Sequence, residues 1–80
     1  MAIINFSNEL QKLTGEATTR VDEPIYKDIV NEISRRYPSV KVKVLMEMAV
    51  AIDGEIVHAP LLEYVAPDSE LHFLYRISGG

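Results

Sequence analysis

Leu71-His72-Phe73-Leu74-Tyr75-Arg76-Ile77, running directly into Ser78-Gly79-Gly80, is the stretch on which the reading of this chain turns. Leu71, Phe73, Tyr75 and Ile77 alternate with His72, Leu74 and Arg76. A period of two, with aromatic and branched residues on one side, is the pattern of a long strand with one buried face. Pro67-Asp68-Ser69-Glu70 supplies turn chemistry before it, and Leu61–Val65, between Pro60 and Pro67, reads as a short turn of helix.

Working back along the chain, Met46–Ile52 places Met48, Val50 and Ile52 on one face and Glu47, Ala49 and Ala51 on the other. Asp53-Gly54 then offers two residues that accept positive φ before Glu55-Ile56-Val57 resumes the alternation, which is the strongest short hairpin signal. The clearest helix lies before this pair. Asp22 suits the N-cap, Glu23 and Pro24 the first turn, and Ile25, Ile29, Ile33 and Tyr37 recur every four residues with Val30 beside them. Pro38 disfavours helical geometry at the residue before it and ends the element near Tyr37. Lys27, Asp28, Glu32 and Arg35 form the water-facing side. At the start of the chain, Ala2–Ser7 reads as a strand, Gly15 punctuates a loop, and Glu16–Val21 reads as a second strand, the two forming a hairpin.

The order is two strands, one helix, two strands, a short connector and a last strand. One amphipathic helix covers one face of a mixed sheet of four to five strands, which predicts a two-layer α+β domain. The β-grasp is the compact fold with this order, its first and last strands parallel neighbours at the centre of the sheet. Residues 1–77 are expected to form this domain and residues 78–80 a flexible tail.

Composition narrows the function classes. Eighty residues at 48 % hydrophobic and 25 % charged make one ordinary globular domain. At this size little more than ~60 % of the chain's surface is buried, which leaves no room for a deep internal active site. The net charge is −4, and no stretch gathers Lys or Arg beyond Arg35-Arg36. A phosphate backbone needs a basic face, so nucleic acid is not an expected partner. The absence of cysteine removes disulfides, thiolate metal sites and a cysteine nucleophile together. The longest apolar-leaning run, Val42–Ile52, is broken by Lys43 and Glu47 and falls short of the ~20 residues of a bilayer span. The N-terminus carries no secretion signal. These features predict a cytoplasmic protein without a membrane partner.

The tail carries the chemistry. Glycine has no Cβ, so Gly79-Gly80 can thread a slot closed to other residues. Three residues beyond Ile77 extend at most ~10 Å, a length that suits delivery of a terminal group into another protein's pocket. An α-carboxylate, with an ordinary pKa of about 3.5, is an anion at neutral pH and a poor electrophile until it is activated, for example as an acyl-adenylate.

With that tail, the whole chain resembles the ubiquitin-like sulfur carriers, especially the small subunit of molybdopterin synthase and the thiamine-type carriers. The opening strand with Glu9-Leu10 and Gly15, the segment Ala49-Val50-Ala51-Ile52-Asp53-Gly54-Glu55, the turn Pro67-Asp68-Ser69-Glu70-Leu71 and the terminus Ser78-Gly79-Gly80 carry the resemblance. Only the terminus is specific. The resemblance implies that an E1-like adenylating enzyme activates the Gly80 carboxylate with ATP. A sulfur donor, a sulfurtransferase or sulfide, then converts it to a thiocarboxylate, and a sulfur-acceptor synthase subunit takes the sulfur into a cofactor or metabolite. On this reading the chain is a carrier with no catalytic side chain, no bound cofactor and no metal, or the small subunit of a sulfurtransferase complex. Leu74-Tyr75-Arg76-Ile77 lacks the prolines that molybdopterin-synthase subunits often carry before the tail, so thiazole, cysteine or another sulfur metabolite stays open as the destination.

Strand faces suggest where partners dock. With Phe73, Tyr75, Met48 and Val50 inward, His72, Leu74, Arg76, Ala49 and Ala51 face outward, joined by Ile3. These residues would form a small apolar patch opposite the helix. His58 and His72 have no second ligand near them in sequence, and Ser7, Ser34 and Ser69 lack a nucleophile's context. Two other functions compete: a protein modifier joined to lysines through the same tail, and a plain β-grasp interaction domain whose tail is irrelevant.

Overall fold

The computed structural model describes residues 1–57 and 61–76, with residues 75 and 76 described by backbone alone. Its elements are β1 (Ala2–Asn5), α1 (Asn8–Thr14), β2 (Thr18–Val21), α2 (Tyr26–Arg36), α3 (Val42–Glu47), β3 (Met48–Ile52), β4 (Glu55–Val57) and β5 (Glu70–Arg76). The five strands form one sheet in the order β2-β1-β5-β3-β4. β5 is therefore central. It pairs in parallel with β1, Ile3 opposite Glu70 and Asn5 opposite His72, and antiparallel with β3, Ala51 opposite His72. The expected β-grasp, an α+β domain with first and last strands side by side, is the fold observed.

One face of the sheet is sealed. Ile4, Val50, Leu71 and Phe73 meet Tyr26, Ile29, Val30 and Ile33 of α2, with Leu10, Val40, Leu45 and Val65 closing the margins of the same core. Burial of this apolar set is the main force holding so small a domain together. The Asp53-Gly54 hairpin is present as read, with φ of 51° and 87° at the two residues. Both values suit the turn that matches strand twist, and positive φ is what Gly54 adopts without a Cβ penalty.

Four expectations need correction. The first two strands do pair antiparallel, but a helix joins them. Ser7 caps α1 through its side chain, accepting from the Leu10 N–H, and Gly15 closes it in the left-handed conformation at φ 76°. The strands accordingly stop at Asn5 and begin at Thr18, although Phe6 still donates its N–H to Ala17 O at 2.9 Å.

The main helix begins at Tyr26, four residues after the expected cap. Ile25 is extended, and the first-turn amides of Tyr26 and Lys27 donate to the carbonyls of Glu63 and Leu61 at 3.0 and 2.9 Å. A cap supplied by a distant loop leaves no local mark. Tyr26, not Ile25, therefore heads the buried stripe. The end of the helix at Arg36, with Tyr37 outside helical geometry before Pro38, is as expected.

Finally, Met46 and Glu47 close α3 instead of opening a strand, because Leu45 is buried and draws Val42–Glu47 into a helix against the core. Leu61–Val65 is not a helix; it contains a turn and an isolated bridge between Tyr64 and Ile25.

Candidate functional site

The site is built from β5 outward. Because β5 runs parallel to β1, it ends on the side of the sheet where β1 stops and α1 starts, with Arg76 opposite Met48 at the head of β3. A cleft of about 410 Å³ opens at this end, lined by Phe6, Ser7, Glu9, Lys12, Phe73 and Leu74. Ser78, Gly79 and Gly80, the expected acyl terminus, lie outside the described residues, as do Ile77, His58 and the side chain of Arg76.

The sheet face opposite the helices carries the expected docking residues. Ile3, Ala49, Ala51 and Leu74 are half-buried and His72 is exposed, while their strand neighbours Ile4, Met48, Val50, Leu71 and Phe73 are buried. The period of two thus sorts the faces as read. Register brings Ala51 beside His72, and the slip between Met48 and Val50 falls at Ala49.

Sequence reading missed two components of this face. Ile56, opposite Ala51 on β4, is 58 % exposed and extends the apolar area. Asn5, Glu70 and His72 form a polar cluster across β1 and β5. The Asn5 Nδ2 donates to Glu70 Oε1 at 3.0 Å and to the Leu71 carbonyl at 3.2 Å, and His72 Nε2 stands 3.2 Å from Glu70 Oε1. The face is therefore divided: Ile3 lies on the far side of Glu70 and His72 from Ala51, Ala49 and Ile56. An alternation pattern reports which residues face out but not which strands adjoin, so this division was not legible.

Asp53 holds the start of β5 in place. Its Oδ2 accepts from Ser69 Oγ at 2.8 Å, its Oδ1 from the Glu70 N–H at 2.9 Å, and its own N–H donates to Glu70 O at 2.9 Å. The Glu70 N–H first, and the Ser69 hydroxyl second, hold the Asp53 carboxyl below its ordinary pKa. Ser69 O in turn accepts from the Ile3 N–H at 2.9 Å. The Asp-Gly turn and the Ser69-Glu70 turn, expected as separate pieces of turn chemistry, form one bracket.

A second bracket ties α2 to β2. Glu32 receives Arg35 and Arg36, which hold its carboxyl down at about 2, and Arg36 also donates to Thr19 Oγ1 and the Arg20 carbonyl. Both brackets serve the scaffold. Among the described residues, no group of three or more His, Asp or Glu side chains could hold a metal ion. No helix among them is long and apolar enough to cross a membrane.

The strand order and the helical layer on one face define a ubiquitin-like fold of the β-grasp type. Solved structures share this fold. It is similar to small archaeal modifier protein 1 (SAMP1) of Haloferax volcanii, with a TM-score of 0.79, 22 % identity, and coverage of 99 % of this chain and 98 % of that one. It is also similar to SAMP1 of Methanosarcina acetivorans, with a TM-score of 0.77, 16 % identity, and coverage of 99 % and 95 %. No protein-family model matches the sequence, and no relative is found among curated proteins. At these identities the likeness is one of fold.

Proposed function

We propose that this protein is a sulfur carrier that works through the carboxylate of Gly80. The observation that carries the reading is the position of β5: the central strand of a ubiquitin-like sheet ends four residues before the end of the Ser78-Gly79-Gly80 sequence, beside an open cleft. An E1-like partner would catalyse attack of the carboxylate on the α-phosphorus of ATP, releasing pyrophosphate. A sulfide-level donor would then displace AMP and leave a thiocarboxylate, the form that passes sulfur to a synthase subunit. The chain itself contributes the acyl group, the glycine tail and the docking face of Leu74, Ala49, Ala51, Ile56, Ile3 and His72, with Arg76 at the end of β5 nearest the tail. Molybdopterin-type synthesis is the leading destination, on the resemblance of the whole chain to that family.

A second reading is favoured by the names of the two structural neighbours, both modifier proteins: the same acyl-adenylate would instead be passed to a lysine of a target protein. Adenylation is common to both and is tested first. With its cognate adenylating enzyme, the chain should support exchange of labelled pyrophosphate into ATP, and deletion of Gly80 should abolish that exchange. Undiminished exchange with the shortened chain would overturn both readings. Lysine adducts in cells carrying the intact chain would then select the modifier over the carrier.

A further inference from the structure

The loop 61–65 exposes large apolar side chains from a backbone that is firmly held. Leu61, Leu62 and Tyr64 are 43, 77 and 62 % exposed. Yet the loop is fastened to the start of α2 by three backbone hydrogen bonds: Tyr26 N–H to Glu63 O, Lys27 N–H to Leu61 O, and Val65 N–H to Pro24 O at 2.7 Å, the first and last of which form the bridge between Tyr64 and Ile25. The loop satisfies the orphan amides of α2, so its backbone position is fixed by the fold, but nothing in that duty requires Leu62 or Tyr64 to be apolar. Apolar groups held ready at a surface in this way mark a partner site.

A second observation adjoins the first. Next to the loop lies a cleft of about 230 Å³ lined by Ala2, Val21, Asp22, Glu23, Val65 and Pro67. Asp22 and Glu23 open onto it, Glu63 stands between Leu62 and Tyr64, and Asp68 follows Pro67; all four are exposed. None of the four makes an ion pair among the described residues. The basic groups on the same described segments are Lys27, Arg20 and the Met1 amine. The surface is thus an apolar step beside an acidic, apolar-floored cleft.

We propose that this surface binds a basic polypeptide segment of a partner protein, one that seats an aliphatic or aromatic anchor beside Leu62 and Tyr64 and places Lys or Arg over Asp22, Glu23 and Glu63. It is a second docking surface, separate from the sheet face and the tail. Val21 pairs with Ala2 where β1 begins, at the end of the sheet where β5 also starts. The tail leaves from the other end of β5, roughly 20 Å away along the strand. A partner here leaves the tail free, so the site can recruit a complex while the acyl group is handled elsewhere. The proposal does not rest on the chemistry of Gly80.

The test is a selection from a random dodecapeptide library on phage against the full chain, counter-selected on the Leu62→Ser/Tyr64→Ser double variant. Enriched peptides should carry an excess of Lys and Arg around apolar anchors. They should bind the double variant at least ~tenfold more weakly than the parent, and binding should weaken with added salt. Amide shifts of the labelled chain should map to Asp22, Glu23 and Leu61–Tyr64. Glu63→Lys should weaken binding on its own, which keeps the test decisive if the double variant folds poorly. A selection left empty by the counter-selection, peptides without basic excess, or shifts on Ile3, Ala51 and Leu74 would overturn the proposal. So would self-association of the unliganded chain through Leu62 and Tyr64, which would make a second copy the occupant.

Discussion

On β5, Leu71 and Phe73 are sealed against the helical layer, the ring of Phe73 lying 6.3 Å from that of Tyr26. His72 and Leu74, one residue along in each case, stand on the opposite face beside Ala51 and the slip at Ala49. A single strand thus carries the fold on one side and the proposed docking surface on the other, and a shift of one position moves a side chain from one face to the other. The same strand then leads toward the tail.

The largest effect should come from the sealed side. Phe73→Ala removes an aromatic ring from a core with little redundancy and should cost about 3–5 kcal/mol, measured by urea unfolding. A loss under about 1 kcal/mol would mean that the inner face is not packed as described. Next is Tyr26, whose hydroxyl is buried with no hydrogen-bond partner among the described residues. Burial raises its pKa well above the ordinary phenol range. Tyr26→Phe removes the orphan group while keeping the ring, and should stabilise the domain by about 1 kcal/mol in the same assay.

A smaller, pH-dependent effect separates the brackets from both faces. Asp53 and Glu32 have folded pKa values below their ordinary ones. Each therefore adds stability that is complete above the ordinary carboxylate pKa, about 4, and is lost as pH falls through the lowered value. For Glu32 that decline runs down to about pH 2. Asp53→Ala should lower Tm at pH 7, and the difference from the parent should narrow as pH falls below about 4. A difference that widens in acid would contradict the bracket. Smallest in stability should be Leu74→Asp on the outer face, within about 0.5 kcal/mol of the parent, while pyrophosphate exchange with the adenylating enzyme falls sharply. Failure of that variant to fold would place Leu74 in the core.

Legibility in the sequence followed the range of the interactions. β5, the Asp53-Gly54 turn and the end of α2 before Pro38 are set by alternation, by tolerance of positive φ and by proline sterics, all of which act within a few residues. The start of α2 is set by carbonyls of Leu61 and Glu63, more than thirty residues away in sequence, and no local pattern records them. In α3, Val42 and Val44 favour a strand by propensity, yet burial of Leu45 prevails. α1 was legible in principle: Ser7 and Gly15 are ordinary cap residues eight positions apart, but Leu10 is its single buried residue, too little to form a stripe. For the proposed docking face, the outward placement of Ile3, Ala49, Ala51, His72 and Leu74 was readable from period two. Ile56 and the Asn5-Glu70-His72 cluster depend on strand neighbours and so required the topology.

The most direct measurement is the intact mass of the chain isolated from its native cell or coexpressed with its own adenylating enzyme and a sulfur source. The account predicts a species heavier by the exchange of one oxygen for sulfur, with fragmentation assigning the change to Gly80 and not to oxidation of Met1, Met46 or Met48. A terminus that remains an unmodified carboxylate beside an active adenylating enzyme and sulfur donor would contradict it.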